Sequence, residues 1–174
     1  MINEGLSNLV PVMAVFIAFW SVYTTKKLWY QANRPIVSAD IRQFEGGVGV
    51  VVFNLAVCNS GNRPATNIIF SAQDKDLEKI LIEDAQKSCV DDIYSIFSGA
   101  ARVQLLLNGE EAETAFGGYA VDASSNPQCV LKFEAVLPIE ISYKDLNGKS
   151  YKSNQTLFIR PKDGFGGSVW EKKV

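Results

Sequence analysis

The sequence predicts a mainly β protein: an N-terminal transmembrane helix, then an antiparallel β-sandwich carrying one or two short inserted helices. Three observations predict it. The run GLSNLVPVMAVFIAFWSVYTT, Gly5–Thr25, is apolar and uncharged. From Pro35 to Pro161, short runs rich in Val, Ile, Leu and Phe are separated by turn-forming Gly, Pro, Asn and Asp, the pattern of a sandwich. Two stretches, around Leu77 and around Ile93, break that pattern with apolar residues at helical spacing. The expected organisation is a membrane anchor over 1–34, with its helix at about 6–27, a β-domain over 35–161, and a flexible tail over 162–174.

The first element follows from length and charge. A helix rises about 1.5 Å per residue, so the 21 uncharged residues from Gly5 to Thr25 would span roughly 30 Å of hydrocarbon. Pro11 sits in the early turns, where a missing amide costs least. Trp20, Tyr23, Trp29 and Tyr30 gather at the far end with Lys26 and Lys27, as residues at a membrane interface do. The start lacks the positive charge and small-residue cleavage site of a signal peptide. Lys26, Lys27 and Arg34 place the following domain in the cytoplasm and a short N-terminus outside. Ala14, Ala18 and Ser21 share one face and permit close helix–helix contact, though a helix this rich in small residues shows such a face by chance too.

The β-domain opens with Val37, Ala39 and Ile41 alternating with polar residues, a half-buried strand. Glu45–Gly49 reads as a turn. Val50–Asn59 is a strongly apolar strand with Phe53, Leu55 and Val57 inward. In NSGNRPATNI, Gly61 and Pro64 mark a corner before a third strand at Thr66–Ala72, and a corner explains every residue there except Arg63. Leu77, Ile80, Leu81 and Ala85 then fall at helical spacing, as do Val90, Ile93, Tyr94 and Phe97. Their apolar faces either pack on the sandwich or form a docking site for a protein partner through Leu77, Ile80, Leu81, Ile93, Tyr94 and Phe97, with Arg63 a further candidate contact. Ala101–Asn108 is a strand, Gly109–Glu113 a loop, Thr114–Val121 a strand, and the segment from Val121 another loop. The last strands flank Asn147–Gly148, a strong hairpin signal.

With these motifs in place, the chain resembles a loose group of bacterial single-pass membrane-anchored proteins of unassigned function. The resemblance rests on RPIV at Arg34–Val37, on the N-x-G-x-x-P-A-x-N spacing of Asn59–Asn67, and on YKDLNGKSY at Tyr143–Tyr151. It covers most of Trp20–Pro161. It implies an immunoglobulin-like sandwich at the bacterial inner membrane and brings no catalytic residues with it. Ile36 stands where the group often has an aromatic, a difference that touches packing alone.

The chemistry is bounded by what the sequence lacks. There is no histidine, which removes Ser-His-Asp and Cys-His nucleophile pairs and HExxH metal sites. Three cysteines, Cys58, Cys89 and Cys129, contain no CxxC pair and read as buried free thiols. A net charge of −2 argues against a nucleic-acid domain. GKS at Gly148–Ser150 lacks the upstream Gly of a phosphate loop, since Tyr143 stands there. DKDLEK at Asp74–Lys79 lacks the calcium loop's Gly, replaced by Lys79, and its final Glu, replaced by Ala85. The acids at Glu83–Asp84, Asp91–Asp92 and Glu110, Glu111, Glu113 read as solvated. The expectation is a membrane-tethered protein-interaction or scaffold module. It has no catalytic residue, cofactor or metal. Its contacts are lipid around the helix, a protein partner, and a second copy through the anchor. The alternative is a small-ligand sensor or accessory subunit of a membrane complex.

Overall fold

The structure, a computed structural model, describes residues 2–45, 50–120, 131–132 and 134–160. The chain divides into two compact units, Met1–Arg34 and Pro35–Val174. The readings of a turn through 46–49, a loop over 121–128, Cys129 and a tail over 162–174 lie outside the described residues.

The first unit is helix α1, Ile2–Ala32. Pro11 is accommodated inside it. Its last turns are tied by Thr24 Oγ1 donating to the Trp20 carbonyl at 2.8 Å and Asn33 Nδ2 donating to the Trp29 carbonyl at 2.9 Å. The transmembrane expectation is corrected here. Among the described residues no helix is long and apolar enough to cross a membrane. Over residues 11–32, Pro11, Ser21, Thr24, Thr25, Lys26, Lys27 and Gln31 interrupt the apolar side chains.

The second unit is mainly β. Its strands are β1 (Val37–Glu45), β2 (Val50–Asn59), β3 (Ala65–Ser71), β4 (Val103–Leu106), β5 (Glu111–Ala120), β6 (Ala135–Asp145) and β7 (Ser150–Ile159). Helices α2 (Asp74–Ile80) and α3 (Lys87–Phe97) sit between β3 and β4. Two antiparallel sheets form, ordered β1-β2-β5 and β4-β3-β6-β7. One core serves both sheets and both helices: Phe53, Leu55, Ile68, Ile80, Ile93, Phe116, Leu137 and Ile141 all belong to it.

Alternation explains the sheets. Phe53, Leu55 and Val57 are buried, as their period-2 spacing predicts, and the β6 pattern buries Leu137, Ile139, Ile141 and Tyr143 in turn. The strand order is not that of a constant-type domain. In an immunoglobulin constant-type sandwich the fourth strand lies beside the fifth, giving sheets of four and three. Here β4 pairs β3 instead, through Ala65↔Leu106 and Ile68↔Val103. Strand β5 is therefore an edge of its sheet.

The inserted segment also departs from its helical spacing. Helix α2 stops at Ile80, and Leu81 turns extended to bridge Leu131. Lys132 N–H donates to the Ile80 carbonyl at 2.7 Å. That long-range pairing overrides a helical pattern that continues to Ala85. Strand β5 begins at Glu111, so the expected loop through Glu113 is strand, and β4 is shorter than the run Ala101–Asn108 suggests.

Candidate functional site

The three sequence motifs converge on one end of the sandwich and hold it together. Asn59 is fully buried. Its Oδ1 accepts from Ile36 N–H at 3.2 Å and Gly61 N–H at 3.1 Å. Its Nδ2 donates to the carbonyls of Arg63 at 2.7 Å, Leu106 at 3.1 Å and Leu107 at 3.3 Å. One side chain thus joins the start of β1, the corner at 60–63 and the end of β4. Ala65 is fully buried beside it, and Asn67 takes a positive φ of 50° at a bulge in β3. Asn is among the few side-chain-bearing residues that tolerate this conformation. NSGNRPATNI is a corner, and the Arg63 carbonyl is one of its fastenings.

Asp145 closes the same end. Its Oδ1 accepts from the N–H groups of Asn147 at 2.9 Å and Lys149 at 3.0 Å, and its Oδ2 accepts from Tyr151 Oη at 3.2 Å. Gly148 supplies the turn's φ of +80°. Tyr143 stacks on Tyr151 at 5.6 Å and donates to the Pro35 carbonyl at 3.4 Å. Asn59 and Asp145, the buried polar residues among those described, spend their hydrogen bonds on the fold.

The helical residues singled out as a docking face are placed inward. Leu77, Ile80, Leu81, Ile93 and Phe97 are buried in the core, and Tyr94 is half-buried. Amphipathic helices inserted in a sandwich bury their apolar faces because that removes the most apolar surface from water. No partner can reach those five side chains. Desolvation, then Glu78 and Asp74, raise the Tyr94 phenol above its ordinary range.

The two side edges of the sandwich differ. On the β1–β7 side, Gln155 Oε1 accepts from Ala39 N–H at 2.8 Å and its Nε2 donates to the Val37 carbonyl at 3.4 Å. This stitches the sheets together. On the β4–β5 side, helix α3 covers part of the gap, with Phe97 edge-on to Phe116 at 6.0 Å. The rest is a cavity of about 200 Å³ lined by Leu55, Val57, Phe70, Ile96, Val103 and Ala112, with Arg102 and Thr114 at its exposed rim.

Among the described residues, strand β5 borders that cavity with an open main-chain edge over its first half. Asn59 N–H donates to the Glu110 carbonyl. By antiparallel alternation, Ala112 and Thr114 then bond toward β2, while the N–H and C=O of Glu111, Glu113 and Ala115 point away from it. Among the described residues, the edge is met at Gly118, whose carbonyl accepts from Leu131 N–H at 3.1 Å. Side chains of Glu111 and Glu113 lie on the solvent face, where Arg42 Nη1 meets them at 2.7 and 2.8 Å and Nη2 meets Glu111 again at 2.7 Å. The Glu111 hydrogen bond chiefly holds the guanidinium far above its ordinary range, and the Arg42 hydrogen bond chiefly holds the Glu111 carboxyl below its own. Around Arg42 two carboxylates, Glu111 and Glu113, share one guanidinium.

On α1, Ala14, Ala18 and Ser21 are exposed. So are the large side chains around them: Phe16, Phe19, Trp20, Val22, Tyr23 and Trp29. Lys26 and Lys27 are exposed, and Trp29 packs edge-on to Tyr30 at 5.3 Å. The interfacial roles expected for Trp20, Tyr23, Lys26, Lys27, Trp29 and Tyr30 fall with the transmembrane span. Cys58 and Cys89 are free and half-buried rather than buried. Among the described residues, no group of three or more His, Cys, Asp or Glu could hold a metal ion.

No curated protein and no solved structure matches the chain. A family model does, over residues 5–161, from within α1 to just past β7, so the match takes in both units. The chain belongs to the family described as Domain of unknown function (DUF8453).

Proposed function

We propose that this chain is a protein-interaction module in which helix α1 assembles copies and the β-domain presents a binding surface. One observation carries the reading: over residues 12–30 α1 exposes large apolar side chains on most of its circumference, outside the Ala14, Ala18 and Ser21 face, with Phe16 at 69%, Phe19 and Trp20 at 73% and Val22 at 67%. Contiguous apolar surface on this scale marks an interaction segment. A helix with so broad an apolar surface is covered by neighbours when it is stable. Further copies of α1 supply that cover, with Ala14, Ala18 and Ser21 allowing the closest approach. The reading assigns no catalytic step, since the buried polar groups serve the fold.

Photo-crosslinking in intact cells tests it, with probes at Ala18 and, as control, at Glu78 on the exposed side of α2. Self-adducts at Ala18 alone are expected. Monomer at every position, or adducts at Ala18 to many unrelated proteins, would reject assembly through α1.

A further inference from the structure

We infer that the open edge of β5 receives an extended segment of a partner protein as an added strand, with apolar residues alternating with Lys or Arg. The inference rests on the interaction-module reading and names the surface and the chemistry of the partner.

Three features converge. Glu111, Glu113 and Ala115 direct N–H and C=O groups away from β2, and no described residue bonds them. Unpaired strand edges are templates for a further strand, and main-chain hydrogen bonds supply the affinity of strand addition. The position is also where a fourth strand would stand had β4 not paired β3. Strand addition restores a four-stranded sheet.

The two faces of the incoming strand meet different chemistry. Its inward side chains lie over the cavity of about 200 Å³. Leu55, Phe70, Ile96 and Val103 line its floor, with Arg102 and Glu113 at the rim, so a Val, Ile or Leu side chain fits there. Its outward side chains stand next to Glu111 and Glu113, two carboxylates that share the single guanidinium of Arg42. Side chains of i and i+2 share a face, so an apolar–basic alternation satisfies both requirements at once. An acidic alternation would meet like charge.

The test uses the full chain and three synthetic peptides of one length: alternating Val and Lys, the same composition in block order, and alternating Val and Glu. Fluorescence anisotropy reads affinity, and hydrogen exchange reads the Glu113 and Ala115 amides. The Val/Lys alternation is expected to bind about tenfold or more tighter than either control and to slow exchange at both amides. Ala115→Pro removes one edge N–H and leaves the β2 ladder and every charge in place, so it should weaken binding about tenfold. Should that variant misfold, a Val/Lys peptide N-methylated on its β5-facing amides asks the same question with the protein unchanged. Equal binding of alternating and block peptides would overturn the inference. So would binding that survives N-methylation, or competition by decanoate without amide protection, which would make the cavity a small-ligand site. Self-adducts at Ala18 persisting while strand binding fails would reject this inference alone. Strand binding without self-adducts would reject assembly through α1 alone.

Discussion

Asn59 fastens more of the fold than any other described side chain, and its two ends are not interchangeable. The amide donates to three carbonyls and the oxygen accepts from two N–H groups. Asn59→Ala leaves buried backbone groups unpaired and should destabilise the β-domain by about 3 kcal/mol. Asn59→Asp should cost more, because a second acceptor would face the carbonyls of Arg63, Leu106 and Leu107. Urea unfolding followed by tryptophan-independent far-ultraviolet circular dichroism measures both, and equal stability of the two variants would refute this account. The Arg42–Glu111 pair makes a pH prediction. Glu111 has a depressed folded pKa, so its contribution is present above the unfolded glutamate range and fades as pH falls through the folded value. Both groups are exposed, so the effect on stability is small. Carboxyl NMR should find Glu111 titrating below an ordinary glutamate and returning upward in Arg42→Gln.

At the scale of elements, what could be read from sequence divides by range. The inward set Phe53, Leu55 and Val57 was legible because alternation is local and β2 is apolar enough to declare it. The hairpin at Asn147–Gly148 was legible for the same reason. The end of α2 was not, because Leu81 and Ala85 extend its helical spacing while the interruption comes from Leu131 and Lys132, some fifty residues on. The start of β5 was hidden too: Glu111 and Glu113 look like a solvated loop until Arg42, two strands away, is seen to receive them. Their alternation with Ala112 and Thr114 was the available signal. The inserted helices behave as core, which yields a clear contrast. Ile80→Ala should cost about 2–5 kcal/mol, while Glu78→Ala on the opposite face should shift stability by less than about 0.5 kcal/mol. Similar losses at both positions would mean that the faces are not divided as described.

For the whole molecule, the two units answer to different rules. The sandwich gathers most of its large apolar side chains into one core, leaving a few such as Phe44 and Leu146 exposed, whereas those of α1 from Val12 to Tyr30 are exposed. The length of the uncharged run suggested a membrane helix, but among the described residues no helix is long and apolar enough to cross one. The open edge was beyond sequence reasoning, because it depends on which neighbour β4 selects. Gln155 has a consequence for motion. A sandwich stitched by Gln155 along β1–β7 and, among the described residues, held along β4–β5 only at its Asn59 end and by α3 resembles a book, with a spine on one side and a fore-edge on the other. Its low-energy breathing should splay the covers from the fore-edge. Native-state hydrogen exchange should then find lower opening energies in β4 than in β7, although both strands are edges of the same sheet. Gln155→Ala should narrow that difference by loosening the spine, and a mutation in β4 should leave the β7 amides unchanged.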